Sequence, residues 1–142
     1  MVRRAFFTAV LLLAALAPAS ADLRILASPG GEVTSYLNLF SLVKKSGERV
    51  VIDGPCYSAC TLLLSTVPAD RICVTRRAVL GFHAARLVNR AGREFAAGEL
   101  TRIVVSTYPA PVRTWIARHG GLTRKPIFLR GRELAALYPA CI

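Results

Sequence analysis

Acidic residues are scarce in this chain, with eight aspartates and glutamates against 19 lysines and arginines in 142 residues. Histidine is scarcer still: only His83 and His119 occur, far apart in sequence. A zinc site wants two closely spaced ligand pairs, and Cys73 and Cys141 each stand alone, so no metal site is expected and no cofactor either. A thioredoxin-type redox pair is absent too, because three residues, not two, separate Cys56 from Cys60. Beyond residue 21 no apolar run approaches the roughly 20 residues that cross a bilayer. Internal repeats, low-complexity tracts and linkers are missing, and the length suits one domain. The formal charge of +11 comes mostly from 16 arginines scattered singly or in pairs. No dense basic tract interleaves with aromatics as a single-strand binder would want, so no nucleic-acid partner is expected.

What is present begins with a leader. Arg3 and Arg4 precede the short apolar run Ala5 to Leu16, and Ala19-Ser20-Ala21 offers a small-residue cleavage site. This reads as a signal peptide over residues 1–21, a single domain over 22–142 and a periplasmic or secreted product. An uncleaved N-terminal anchor is the alternative. Arg3 and Arg4 account for two of the 19 bases and none of the eight acids, so the chain from Asp22 keeps about +9. In an exported protein that charge favours solubility or weak attraction to anionic lipid or glycan. Export also puts Cys56, Cys60, Cys73 and Cys141 in an oxidising compartment, where an even count reads as structural staples. Three pairings are open. Cys56–Cys60 with Cys73–Cys141 is preferred, the second pinning the C-terminus.

Periodicity along the chain alternates strand and helix. Leu23 to Ala27 is a short apolar run stopped by Ser28-Pro29-Gly30-Gly31, as a buried parallel strand would be. Val33, Tyr36, Leu37, Phe40 and Val43 recur at helical steps, with Lys44 and Lys45 in the last turn and Gly47 as the stop. Arg49 to Asp53 predicts a second strand and Ser58 to Val67 a buried helix. Arg71 to Thr75 and Ala78 to Phe82 predict two more strands. Residues 84 to 93 carry charge and glycine and predict a loop. Helices are expected over Phe95 to Thr107, Val112 to His119 and Arg132 to Tyr138, with a short strand at Ile127 to Leu129. The order argues for an α/β domain with a mainly parallel sheet flanked by helices.

In such sheets reactive groups collect beyond the carboxyl ends of the strands. Three features lie there: the Ser-Pro-Gly-Gly turn, the Gly54-to-Cys60 turn around Ser58, and His83. A serine becomes a nucleophile when a base takes its proton and N–H groups stabilise the oxyanion. Ser58 opens a helix, His83 ends a strand, and Gly30, Gly31 and Ala59 can offer backbone N–H groups. Each has a plainer reading: Ser58 as a helix cap, His83 as a hydrogen-bonded structural histidine, the glycines as turn residues.

Ser28-Pro29-Gly30-Gly31, then Cys56-Tyr57-Ser58-Ala59-Cys60, then Leu80-Gly81-Phe82-His83, in that order, resemble the Clp proteolytic-subunit branch of the ClpP/crotonase superfamily. Phe128 to Leu137 resembles that family's closing strand and helix. The resemblance covers most of residues 22 to 138. It implies a ClpP/crotonase-like fold, shortened at the N-terminus, with Ser58 as nucleophile, His83 as base and the Ser-Pro-Gly-Gly turn lining an oxyanion hole. The sequence departs from the family where its third catalytic member, an aspartate, would stand: the matching place is Lys125-Pro126. Asp53, Glu94, Glu99 and Glu133 are the substitutes on offer. Nothing resembles an axial loop for an unfoldase, and the exported space lacks ATP, so no ATPase partner is expected. The expectation is therefore an exported serine hydrolase with a Ser58–His83 dyad, acting on a peptide or other acyl substrate. A non-catalytic ClpP-like binding module is the alternative, and self-association as a homo-oligomer is left open.

Overall fold

The computed structural model describes residues 21–142; the charged and apolar parts of the expected signal peptide lie outside the described residues. Among the described residues eight strands run in chain order: β1 (Leu23–Ile25), β2 (Val50–Ile52), β3 (Pro55–Tyr57), β4 (Ile72–Val74), β5 (Val79–Phe82), β6 (Arg86–Val88), β7 (Glu94–Ala96) and β8 (Ile127–Arg130). The helices are α1 (Val33–Ser46), α2 (Leu63–Thr66), α3 (Gly98–Thr107), α4 (Ala110–Arg118) and α5 (Gly131–Ala135). The fold is thus mixed α/β, with parallel and antiparallel sheet elements flanked by helices. No described helix is long and apolar enough to cross a membrane.

The strands form three sheets where one had been expected. β1, β2 and β4 make a wholly parallel sheet in that order. β3 lies parallel to β5, and β5 is antiparallel to β8. The chain passes from the first sheet to the second through Asp53-Gly54, and Gly54 makes that corner. A Cβ there would fall 1.9 Å from the Leu26 carbonyl oxygen, so no side chain fits. Ser28 runs alongside the same corner. It donates its N–H to the Pro55 carbonyl at 2.8 Å and accepts from Tyr57 N–H at 2.9 Å. The turn after β1 is therefore tied to β3 just before Ser58.

Helix α1 shows how local signals meet packing. The Glu32 carboxylate accepts from Thr34 and Ser35 N–H at 2.8 and 2.7 Å, satisfying donors the helix start leaves open. Gly47, at φ 80°, closes the other end. Phe40 and Val43 turn into the core shared by Val50, Ile52, Leu63, Leu80, Phe82, Trp115 and Leu129.

Two segments depart from expectation. Pro55–Tyr57 is a strand, and the continuous helix expected over Ser58 to Val67 is a 3-10 segment, Ser58–Leu62, followed by the single turn α2. The Thr61 hydroxyl donates to the Ser58 carbonyl at 2.7 Å, and Cys56–Cys60 is a disulfide spanning 5.3 Å between Cα atoms. Both bonds fasten the segment to its own start. The loop expected over residues 84–93 belongs to a β-ribbon of β6 and β7, and Phe95 lies in β7, not in a helix. Both ribbon strands are exposed along their length, so burial imposes no alternation for the eye to find.

Cys73 and Cys141 form the second disulfide. The C-terminal tail lies along β4, where Val74 N–H donates to the Pro139 carbonyl at 2.9 Å and Cys141 N–H to the Val74 carbonyl at 3.1 Å. The bridge thus fastens the segment that covers the open edge of β4.

Candidate active site

The register of β3 and β5 brings two of the expected residues together. Tyr57 is paired with Gly81 in parallel strands, so Ser58 and His83 emerge from neighbouring strand ends that point the same way. A Cβ on Gly81 would sit 2.5 Å from the Tyr57 ring, so this glycine makes room for the aromatic next to Ser58. Ser58 and His83 line a pocket of about 370 Å³, together with Pro29, Gly30, Gly31 and Ala59. That size lies within the range of small-molecule sites. Leu100 and Val104 of α3, with Leu122, add an apolar wall, and Arg86, Val88 and Glu94 of the ribbon stand at its side.

Ser58 is held in an unusual backbone conformation. At φ 55° it is the single non-glycine residue with positive φ among the described residues. A left-handed conformation costs an L-residue about 1–2 kcal/mol; such outliers gather at functional sites, where the surrounding structure holds them in place. The surroundings here are specific. Gly30, at φ 85°, lies so close that a Cβ on it would be 2.6 Å from Ser58 Cβ, 2.6 Å from the Tyr57 carbonyl oxygen and 3.1 Å from Ala59 N. Gly30 N–H makes one long contact, 3.4 Å to Ser28 Oγ, while among the described residues the N–H groups of Gly31 and Ala59 meet no acceptor. Backbone donors therefore lie on both sides of the Ser58 turn. The Ser28 hydroxyl is itself held by Tyr36 at 2.7 Å, tying the glycine turn to α1.

Beneath Ser58 runs a buried chain of hydroxyls that sequence reading missed. Thr61 Oγ1 lies 2.7 Å from both the Ser58 carbonyl and Tyr108 Oη. A carbonyl can only accept, so the single Thr61 proton goes to Ser58 and the tyrosine donates to Thr61. Burial pushes the Tyr108 phenol up to about 12. The signal for Thr61 was local, one turn after Ser58. For Tyr108 there was none, because it arrives from the α3–α4 junction.

His83 is half-buried, and its Nδ1 lies 2.7 Å from the Ala84 carbonyl oxygen. That oxygen cannot donate, so Nδ1 carries a proton and Nε2 is the free nitrogen, an acceptor in the neutral ring. Ala84 is steadied in turn by its N–H bond to the Thr123 carbonyl at 2.8 Å. The segment Thr123–Lys125 thus does run beside His83, but its ionisable side chains, Arg124 and Lys125, are exposed cations. No hydrogen bond joins Ser58 Oγ to His83 among the described residues.

None of the four acids on offer pairs with His83. Asp53 is buried at the end of β2, where Arg77 at 2.6 Å, Thr75 at 2.7 Å and Arg24 at 2.8 Å hold its carboxyl well below the usual carboxylate range. Glu94 lines the pocket but pairs with Arg86 at 2.7 Å. Glu99 pairs with Arg102 at 3.1 Å, and Glu133 faces His119 at 3.6 Å. The His83 orienter is a backbone carbonyl. The described residues hold no cluster of three or more histidine, cysteine or acidic side chains that could bind a metal ion.

Comparison with protein-family models found no match, and neither did comparison with curated proteins.

Proposed function

We propose that this protein is a ClpP/crotonase-like serine hydrolase of the cell envelope, exported by a cleaved leader, acting on peptides or other acyl substrates. The observation that carries the proposal is Ser58 in a left-handed conformation, pressed against Gly30, in a pocket it shares with His83. Ser58 Oγ attacks the acyl carbonyl carbon as its proton passes to Nε2 of His83. The N–H groups of Gly31 and Ala59, with Gly30 as the third donor, stabilise the oxyanion. Collapse of the tetrahedral species expels the leaving group, which takes the proton back from His83. Water then hydrolyses the acyl-serine by the same route.

The Ala84 carbonyl holds the imidazole in the right tautomer but brings no negative charge to stabilise the imidazolium. Loss of a triad acid can cost about 10⁴ in turnover, so slow chemistry is expected. The missing contact between Ser58 and His83 and the lack of an orienting acid favour a second reading, a non-catalytic module that binds acyl or peptide groups in the same pocket. Catalytic hydrogen bonds are often long before substrate binds, which keeps the hydrolase reading first. A fluorophosphonate probe separates the two. Hydrolase activity requires covalent labelling at Ser58 that is lost in Ser58→Ala and falls strongly in His83→Ala. A folded, oxidised protein inert to this probe and to small activated esters would favour the binding module over the hydrolase.

A further inference from the structure

The ribbon of β6 and β7 has two unlike faces. Its register pairs Leu87 with Phe95 and Val88 with Glu94. Arg86, Val88 and Glu94 line the pocket, so alternation along the strands sends Leu87 and Phe95 to the opposite side. There they stand 57% and 49% exposed, directly opposite each other, with the Arg93 guanidinium 6.0 Å above the Phe95 ring. Arg90 is exposed at the tip.

A two-stranded ribbon is marginal on its own, yet this one is fastened at both ends. At the tip, Asn89 Oδ1 accepts from Ala91 and Arg93 N–H at 3.0 and 2.9 Å, and Gly92 takes the left-handed turn at φ 75°. At the base, Ala97 N–H donates to the Ala85 carbonyl at 3.1 Å, and Ala85 N–H to the Thr101 hydroxyl at 2.9 Å. The fold therefore holds an apolar pair and two arginines out into solvent.

Charge decides what fits them. The ribbon, residues 84–97, carries Arg86, Arg90 and Arg93 against one acid, Glu94, which pairs with Arg86. A second copy would bring the same excess against itself, and like charges repel. A surface dense in phosphate complements it: guanidinium binds phosphate oxygens bidentately, while an aromatic and an aliphatic side chain enter the headgroup layer.

We propose that the outward face of this ribbon, Leu87, Phe95 and Arg93, with Arg90 at its tip, docks the protein on an anionic phospholipid bilayer. Docking is independent of whether Ser58 is a nucleophile. The test is sedimentation of the protein from Asp22 onward with vesicles of phosphatidylcholine alone or with 30% phosphatidylglycerol. Binding should require the anionic lipid and weaken with salt. Arg90→Ser with Arg93→Ser should weaken it about fivefold for each arginine, and Leu87→Ser with Phe95→Ser should abolish the part that survives high salt. Arg118→Ser with Arg132→Ser removes equal charge elsewhere and should change binding far less. Circular dichroism establishes that each variant is folded. Four results would overturn the proposal: equal binding to neutral vesicles, no binding to either, equal loss in the Arg118/Arg132 variant, or tighter binding to duplex DNA through the same ribbon residues.

Discussion

The Cα of Gly30 lies so near Ser58 that a methyl group on it would come within 2.6 Å of the serine Cβ. Gly30 and Gly31 are adjacent, yet their constraints differ. Gly30 has φ 85° and faces backbone atoms of Tyr57 and Ala59, whereas a Cβ on Gly31 would meet only Tyr36 Cε2 at 3.4 Å. Gly30→Ala should therefore destabilise the fold by about 1–3 kcal/mol and abolish probe labelling. Gly31→Ala should stay within about 0.5 kcal/mol. Thermal melts of the two variants test this, and equal melting temperatures would remove the argument for Gly30 as a fixed neighbour of Ser58.

The two disulfides should separate in their effects. Cys73–Cys141 closes a separation of 68 residues and Cys56–Cys60 one of four. Loop-closure entropy assigns about 4 kcal/mol to the first and about 2 kcal/mol to the second. Cys73→Ala with Cys141→Ala should lower the melting temperature more, while Cys56→Ala with Cys60→Ala should lower labelling of Ser58 more. Denaturant melts and labelling rates measured on the same samples check both orders.

Helix α1 and its Gly47 stop were legible because a local signal joins one-sided burial, and the strands of the first sheet because β2 and β4 are buried along their whole length and read as continuous apolar runs. The cysteine pairing was preferred from the position of Cys56 and Cys60 about Ser58 and from a terminus in need of pinning. The ribbon at Arg86–Ala96 was not legible, because both of its faces meet solvent and no period marks it. Splitting of the expected single sheet turned on Gly54, whose corner depends on the close passage of Leu26, a contact between distant parts of the chain. At the site, the residues at strand ends were legible from turn chemistry. The partners of His83 and Ser58 were not, because Ala84 acts through its backbone and Tyr108 comes from the α3–α4 junction.

Stability should fall at both pH extremes for identifiable reasons. Backbone bonds from Thr34 and Ser35 lower the Glu32 carboxyl to about 2 from an ordinary 4.5. Its contribution is present above about pH 4.5 and is lost as pH falls toward 2. Glu32→Gln should flatten that part of the acid limb, leaving the part due to Asp53. On the alkaline side, burial raises Tyr108 and Tyr138 from 10 to about 12. The unfolded chain ionises first, so stability is full below pH 10 and declines through pH 12. Tyr108→Phe should halve the alkaline slope at a cost of about 1 kcal/mol for its lost bond to Thr61. Chemical denaturation across pH 2–12 measures both limbs.

The backbone at Ser58 offers a test that does not depend on finding the substrate. A side chain at φ 55° carries left-handed strain of about 1–2 kcal/mol, which alanine shares and glycine escapes. Glycine offsets part of that gain, because its unfolded chain is more flexible by about 0.5–1 kcal/mol. Ser58→Gly should thus be at least as stable as the natural protein and about 0.5–1 kcal/mol more stable than Ser58→Ala. Neither variant should label with a fluorophosphonate. Ser58 makes no side-chain cap bond to the segment it opens, and equal melting temperatures for the two variants would remove the argument that the backbone at residue 58 is strained. A stabilising substitution that removes the reaction is what a strained nucleophile predicts, because the conformation that exposes Oγ is the one the chain would otherwise avoid.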